Sequence, residues 1–408
     1  MGKEIELSTA ITDIAAGPFG SNLKVECFVP SGFPIIDGAN LKGYKVTDNI
    51  TKFVTEEKAR SLSRSIAHRG DVIVTISGTI GQIAYIPEDS LYDEYLCSQR
   101  QFRVSFDSSM VYVPYLVFYF HTFEGQNKIL SFANQTGVPA LSQPLKNFKK
   151  IRLCLPSLQE QRRIASIVET INDKIENNIK INDNLQRQLR TIFKAEFTDN
   201  PELEKMTQIP LSELCHVVTK GTTPTTLGKP FVESGIIFIK AESILADHSL
   251  DKSKFAFIDE ETNALLKRSV IHAGDIVFTI AGTLGRFALI DDNALPANTN
   301  QAVAIIRADA EKVLPEYIYT CFIGEWHTDY YAKRVQQAVQ ANLSLTTIKS
   351  LPIPVLDKAK MDEYLRLILP LIKAIKGNEA QNEKLAALRD ALLPKLMSGE
   401  IDVSAVQL

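Results

Sequence analysis

Little in this sequence invites redox or metal chemistry. Its five cysteines (Cys27, Cys97, Cys154, Cys215 and Cys321) are scattered, odd in number and free of CxxC spacing. That excludes a disulfide framework and fits reduced thiols in a cytoplasmic setting. The six histidines form no HExxH and no finger-like pair with cysteine, so no metal site is expected. No apolar run reaches the roughly 18 residues of a transmembrane helix. The opening MGKEIELSTAITDI lacks the apolar core of a signal peptide, so we expect no membrane association. Charge of one sign is also lacking: 45 Lys+Arg stand against 48 Asp+Glu, a net of −3, which is weak for a lone nucleic-acid binder. Residues 1–155 carry 16 basic and 15 acidic side chains, and residues 206–355 carry 13 and 16. Any affinity for DNA must come from local patches or from partner proteins. GxGxxG, GK[ST] and an NPPY- or DPPY-type tetrapeptide are all missing. A dinucleotide site, a P-loop and an adenine methyltransferase site are therefore not visible.

What is present is a duplication. Arg69–Ile86 reads RGDVIVTISGTIGQIAYI and Ala273–Ile290 reads AGDIVFTIAGTLGRFALI; half of the aligned positions are identical at a constant offset of 204 in a chain of 408 residues. Leu7-Ser8 and Gly17 match Leu211-Ser212 and Gly221, each opening a Gly/Pro turn, GPFGSNLK at 17–24 and GTTPTTLGK at 221–229. Further along, Arg64-Ser65 and His68 match Arg268-Ser269 and His272, Ser98-Gln99 faces Asn300-Gln301, and Leu141-Ser142 faces Leu343-Ser344. Short apolar runs such as Val72–Ile76 and Ile83–Ile86 flank Gly/Thr turns, the pattern of strands. Val113–His121 and Pro315–Phe322 have helix starts at or near proline. Each half is thus expected to be a mixed, strand-rich α+β domain rather than a doubly wound sheet.

Each globular half is followed by a heptad-patterned stretch, Leu158–Phe197 and Asp357–Leu396. In the first, Ile164, Val168, Ile171, Ile175, Asn178, Asn182, Leu185, Leu189 and Ile192 recur at alternating spacings of four and three; Ile368, Ile372, Ile375, Asn378, Asn382, Leu385, Leu388 and Leu392 follow a similar course. This predicts two helices of about 60 Å, packed as an antiparallel coiled coil whose paired asparagines fix register. Ser157 and Glu160 have the spacing of a capping box for the first. The expected organisation is a globular domain over 1–156, a helix over 157–200, a second domain over 201–355, and a second helix with a tail over 356–408, related by a pseudo-twofold axis.

The glycine loops Ser77–Gly81 and Ala281–Gly285 could bring backbone amides to a phosphate. They fit better as tight hairpins in which glycine supplies positive φ. The Gly/Pro turns end in Lys24 and Lys229, suited to a sugar-phosphate backbone and equally to a solvated surface. The pairs Gln99-Arg100 and Asn300-Gln301 carry polar side chains of the kind that read base edges, though a solvated surface accounts for them as well. His68 and His272 have only Asp71 and Asp275 nearby, and no catalytic constellation emerges.

In this order, and duplicated, these features resemble the specificity (S) subunit of type I restriction–modification systems. The resemblance rests on the AGPFGS and KGTTP turns, the GDxxxTxxGTxG loops, the Leu-Ser segments, LPSLQEQRRIASIV opening the first helix and LLPKLMSGEI closing the second. It covers essentially the whole chain. It implies two target-recognition domains, each reading one half of a bipartite gapped sequence in double-stranded DNA, with the helices setting the gap and docking two modification subunits. It implies a non-catalytic chain without its own cofactor; S-adenosylmethionine, ATP and magnesium would sit on the modification and restriction subunits. The expected DNA-contacting residues are Ser21, Asn22, Lys24, Thr79, Gln82 and Gln99 in the first half, and Thr223, Thr225, Lys229, Thr283, Arg286 and Gln301 in the second. The segments Asn134–Ala140 and Gln336–Asn342 are further candidates. The second helix begins VLDKAKMDEYLRLI, unlike the first, so its docking surface is expected to differ. The competing readings are a single-chain methyltransferase or nuclease with a cryptic site, and an orphan S-like partner protein.

Overall fold

A computed structural model describes residues 2–134, 137–200, 206–335 and 342–406. It divides into two compact units, residues 1–173 with 385–408, and residues 174–384. Each unit draws on both long helices as well as on one globular half.

In the first unit, Ile11–Ala16, Gln101–Phe106, Val72–Thr75 and Ile83–Tyr85 form an antiparallel sheet in that spatial order. Every side chain of Val72–Thr75 is buried, because both faces of this central strand are covered. Val72 and Val74 join Phe102, Val104, Tyr115 and Phe118 in one core, whereas Ile73 joins Ala84, Ile86 and Tyr95 in another. The two-residue period of a strand divides the run between two cores. A second sheet orders Phe53–Val54, Phe33–Ile36, Glu94–Cys97 and Ile66–His68, its middle pair running parallel. Lys3–Glu6 pairs with Arg152–Leu155. The helix Val113–Phe120 begins with proline in its first turn and buries six consecutive residues, Tyr115 to Phe120.

The second unit repeats the plan. Cys215–Lys220, Val303–Ala308, Ile276–Thr279 and Phe287–Leu289 form its four-stranded sheet. Ile276 and Phe278 face one core and Val277 another. The smaller sheet has three strands, Ala256–Ile258, Ile236–Ile239 and Ala297–Thr299, and Thr207–Pro210 pairs with Pro352–Val355.

The long helices run Leu158–Phe193, prolonged by a π-helical turn Lys194–Thr198, and Lys358–Ser398. Ser157 and Glu160 close the expected capping box: the Ser157 amide donates to Glu160 Oε2 at 3.0 Å and the Glu160 amide to Ser157 Oγ at 3.3 Å. The second helix is capped instead by Asp357, which accepts from the Lys360 amide at 3.0 Å. It continues through Pro370 and Pro394. An interior proline costs about 3 kcal/mol, offset here by the apolar side chains buried beside it, Ile368 and Ile372 in one unit and Leu393 in the other.

Within each unit the helical segments pair antiparallel. In the second, Asn178 Nδ2 donates to Gln381 Oε1 and Asn382 Oδ1, each at 2.8 Å, and Asn378 Nδ2 donates to Asn182 Oδ1 at 2.8 Å. Asn182 and Asn382 also donate to the carbonyls of Ile375 and Ile175. In the first unit Arg389 reaches Asn172 at 3.0 Å, while Ile164 and Val168 share a core with Leu393 and Leu396. Ile372 and Ile375 are buried, and Ile171, Ile175, Leu185 and Leu385 are half-buried, as a seam requires. Leu388 departs from the expected seam: it is 48% exposed. Arg389 takes the inward place beside it, its guanidinium lying over the Tyr44 ring at 5.4 Å.

Candidate nucleic-acid interface

Antiparallel pairing gathers the candidate loops at one end of each four-stranded sheet. In the first unit Thr75 is opposite Gln101, and Ala16 is opposite Phe102. The turn 17–24, the glycine loop 76–82 and the turn 98–100 therefore leave the same sheet end. In the second unit Thr279 is opposite Val303 and Lys220 opposite Ala304, which groups 221–229, 280–286 and 300–302.

The glycines explain why the turns keep their shape. A Cβ on Gly17 would lie 1.8 Å from the Ser98 carbonyl oxygen, and one on Gly221 would lie 1.8 Å from that of Thr299. The Gly/Pro turn is thus pressed onto the neighbouring turn in both units, a close approach only glycine allows. In the glycine loops Gly78 and Gly81 have φ of +89°, and Gly282 and Gly285 have +77° and +79°. Each loop joins antiparallel strands, Val72–Thr75 to Ile83–Tyr85 and Ile276–Thr279 to Phe287–Leu289. This is the hairpin geometry expected from the sequence.

Two copies of one family model, described as the type I restriction modification DNA specificity domain, match residues 29–187 and 204–385. The chain belongs to this family. It is 23% identical over 414 residues to the type I restriction enzyme MjaIX specificity subunit of Methanocaldococcus jannaschii, covering 96% of this chain and 92% of that protein. The EcoBI specificity subunit of Escherichia coli is 20% identical over 359 residues, covering 81% and 73%. A crystal structure of a type I restriction–modification S subunit from M. genitalium superimposes with a TM-score of 0.54 at 14% identity, covering 97% of this chain and 95% of that one. The fold is therefore shared.

The candidate residues divide by what their side chains already hold. Ser21, Asn22, Lys24, Thr79 and Gln99 are exposed. Gln82 is committed internally: its Oε1 accepts from Thr75 and its Nε2 donates to the Gly38 carbonyl, both at 3.1 Å. In the second unit Thr225, Thr283 and Gln301 are exposed, and Thr223 donates to Gln301 Oε1. Lys229 is paired with Glu261 at 2.7 Å, a contact that raises its pKa. Arg286 donates to the Ile244 carbonyl at 3.1 Å. Of the segments 134–140 and 336–342, residues 135–136 and 336–341 lie outside the described residues.

At the two repeated histidines the fold pairs backbone with carboxylate, and the exposed His68 ring also lies 3.3 Å from Glu94. Asp71 and Asp275 accept the backbone amides of His68 and His272 at 2.9 and 2.8 Å. Asp275 is fully buried and held by Arg307 through two contacts of 2.7 Å. The repeated aspartate of the GD motif thus fastens the strand start. Among the described residues no group of three or more His, Cys, Asp or Glu could hold a metal ion, and no helix is long and apolar enough to cross a membrane.

One residue named in the sequence only beside Gln99 gains a position, and one feature, Gln161, escaped the sequence reading. Arg100 is exposed beside Gln99, its Nη1 3.6 Å from where a Gly78 Cβ would stand. Gln161, in the LQEQ start of the first helix, is fully buried; its Nε2 donates to the Met110 and Pro156 carbonyls, and its Oε1 accepts the Tyr112 amide at 2.8 Å. Nothing in the sequence marks it as interior, because a glutamine in a polar helical turn has the look of a solvated face.

Proposed function

We propose that this chain is the DNA-recognition subunit of a type I restriction–modification complex, each unit reading one half of a bipartite, gapped target. The observation that carries the reading is the repeated arrangement in which three polar loops leave one end of a sheet, in a chain matched twice by the DNA specificity domain model. Exposed amides and hydroxyls beside a few cations are the groups that read base edges and fix phosphates. The two long helices set the gap and dock two modification subunits. The near-neutral charge leaves most phosphate neutralisation to those partners.

In this reading the chain itself transfers no methyl group and binds no cofactor; S-adenosylmethionine belongs on the modification subunits, and ATP and magnesium on restriction subunits where these are present. The test is direct. The purified chain, incubated with duplex DNA and labelled S-adenosylmethionine, should transfer no methyl group, and adding the modification subunits should give transfer at adenines of one gapped motif. Transfer by the purified chain alone would establish the single-chain enzyme instead.

A further inference from the structure

The loop cluster of the first unit carries an apolar side chain that no packing explains. Phe19 is 83% exposed and has no ring partner among the described residues. Burying a phenylalanine side chain is stabilising, a gain this residue forgoes in the free protein. Its backbone is nevertheless tied to the neighbouring turn. Gly17 and Gly20 on either side lie against Ser98 and Gln99, where a Cβ at Gly20 would come within 2.6 Å of Gln99 Oε1. The Gly17 amide donates to the Gln101 carbonyl at 2.8 Å, and the Asn22 amide closes the turn onto the Phe19 carbonyl at 2.8 Å. A turn closed by backbone hydrogen bonds thus presents a phenyl ring to solvent.

Beside it stands Arg100. Its backbone is held by the Ile76 amide, which donates to its carbonyl at 2.6 Å, and by the Ser98 hydroxyl, which accepts from its amide at 3.3 Å. Its guanidinium lies over the glycine loop, without a carboxylate partner among the described residues. The arginines of the sheet behind it behave otherwise: Arg103 is paired with Asp13 and, in the second unit, Arg307 with Asp275. Phe19, Ser77, Gln99, Arg100, Pro144 and Leu145 border one open cleft of about 430 Å³.

We propose that Phe19 and Arg100 are specificity-determining residues of the first unit. Arg100 would donate to O6 and N7 of a guanine, and Phe19 would pack on the 5-methyl group of a neighbouring thymine in the major groove. The inference rests on the DNA-recognition reading above and goes further by naming the bases. A phenyl ring gains nothing against a sugar-phosphate backbone, but it finds apolar surface at a thymine methyl. A turn tip reaching that depth brings the adjacent guanidinium to the base edges, while Lys24 of the same turn stays available for phosphate. The corresponding place in the second unit holds Thr223 bonded to Gln301, a different set of donors, as expected of units that read different half-sites.

The test uses the full chain assembled with its modification subunits. The motif methylated by the wild-type complex is read first, and binding to duplexes carrying single substitutions in each half-site is then measured. Arg100→Ala should lose on the order of 10–100-fold discrimination at one G·C position of one half-site. Phe19→Ala should relax a nearby A·T position in that same half. Replacing that thymine by deoxyuridine, which removes the methyl group, should weaken the wild-type complex by about fourfold and leave the Phe19→Ala complex unaffected. Phe123→Ala, an equally exposed phenylalanine (85%) on another surface, is the control and should keep the motif. Uniform weakening of all sequences by Arg100→Ala, indifference of the wild type to deoxyuridine, or a Phe123→Ala effect matching that of Phe19→Ala would each overturn the assignment. A wild-type complex that methylates no gapped motif would sink the underlying reading and this one with it. A wild-type motif left intact by both variants would sink only this one.

Discussion

Two lysines that look equivalent in the repeated turns differ in what they hold. Lys24 is exposed without an ion-pair partner among the described residues, whereas Lys229 is bound to Glu261 at 2.7 Å. Log affinity for duplex DNA falls with log salt in proportion to the phosphates neutralised. Removing Lys24 from the assembled complex should therefore lower that slope by about one, and Lys229→Ala should change it less; titrations at several salt concentrations measure both. Equal changes would show that Glu261 releases its lysine to DNA. At this scale the sequence was informative about backbone and poor about side chains. Gly17 and Gly221 were legible because the duplication repeats them where a Cβ would strike a carbonyl. Gln82 appeared to be a base reader, but its two bonds lie inside the domain. Such bonds depend on Thr75 and Gly38, whose proximity only the fold creates.

Among the secondary elements, the helices were the most readable, since a heptad pattern and a capping box are local signals. Ile372 and Ile375 are buried and Ile171 and Ile175 half-buried, while Leu388 is exposed and Arg389 turns inward over Tyr44. Leucine at heptad spacing says nothing of the aromatic ring that a globular domain supplies. The asparagine layer gives a double test in the second unit. Asn182→Ala leaves Asn378 without its 2.8 Å partner in a half-buried seam, which should cost about 1–3 kcal/mol. Replacing Asn182 and Asn378 together by leucine removes both polar groups and should recover or exceed wild-type stability. Thermal unfolding decides: a double variant less stable than the single one would show that the layer contributes more than register.

For the molecule as a whole, the duplication predicted tandem domains, yet the compact units are discontinuous, with residues 385–408 belonging to the first. No local pattern announces that Leu393 and Leu396 at the end of the second helix, and Val403 in the tail, complete that core. Buried histidines also set the response to acid; in the first unit burial lowers the pKa of His121. In the second, burial pushes His248 and His327 down to about 4, and His327 sits among Phe278, Phe287, Phe322 and Tyr331. An unfolded histidine titrates near 6.5, so the unfolded chain takes up these protons first. The resulting stability is complete above about pH 6.5 and is lost as pH falls towards 4, together a few kcal/mol. His327→Phe should therefore gain melting temperature relative to wild type between pH 7 and 4.5. A difference independent of pH would contradict burial as the cause.

A chain that reads two half-sites and leaves methyl transfer to its partners would leave its mark on the host genome. The most direct measurement is the N6-methyladenine pattern of the host genome with and without this gene. Methylation at one gapped, asymmetric motif should disappear on deletion and return when the gene is restored. A methylome unchanged by deletion, under conditions where the gene is expressed, would contradict that role.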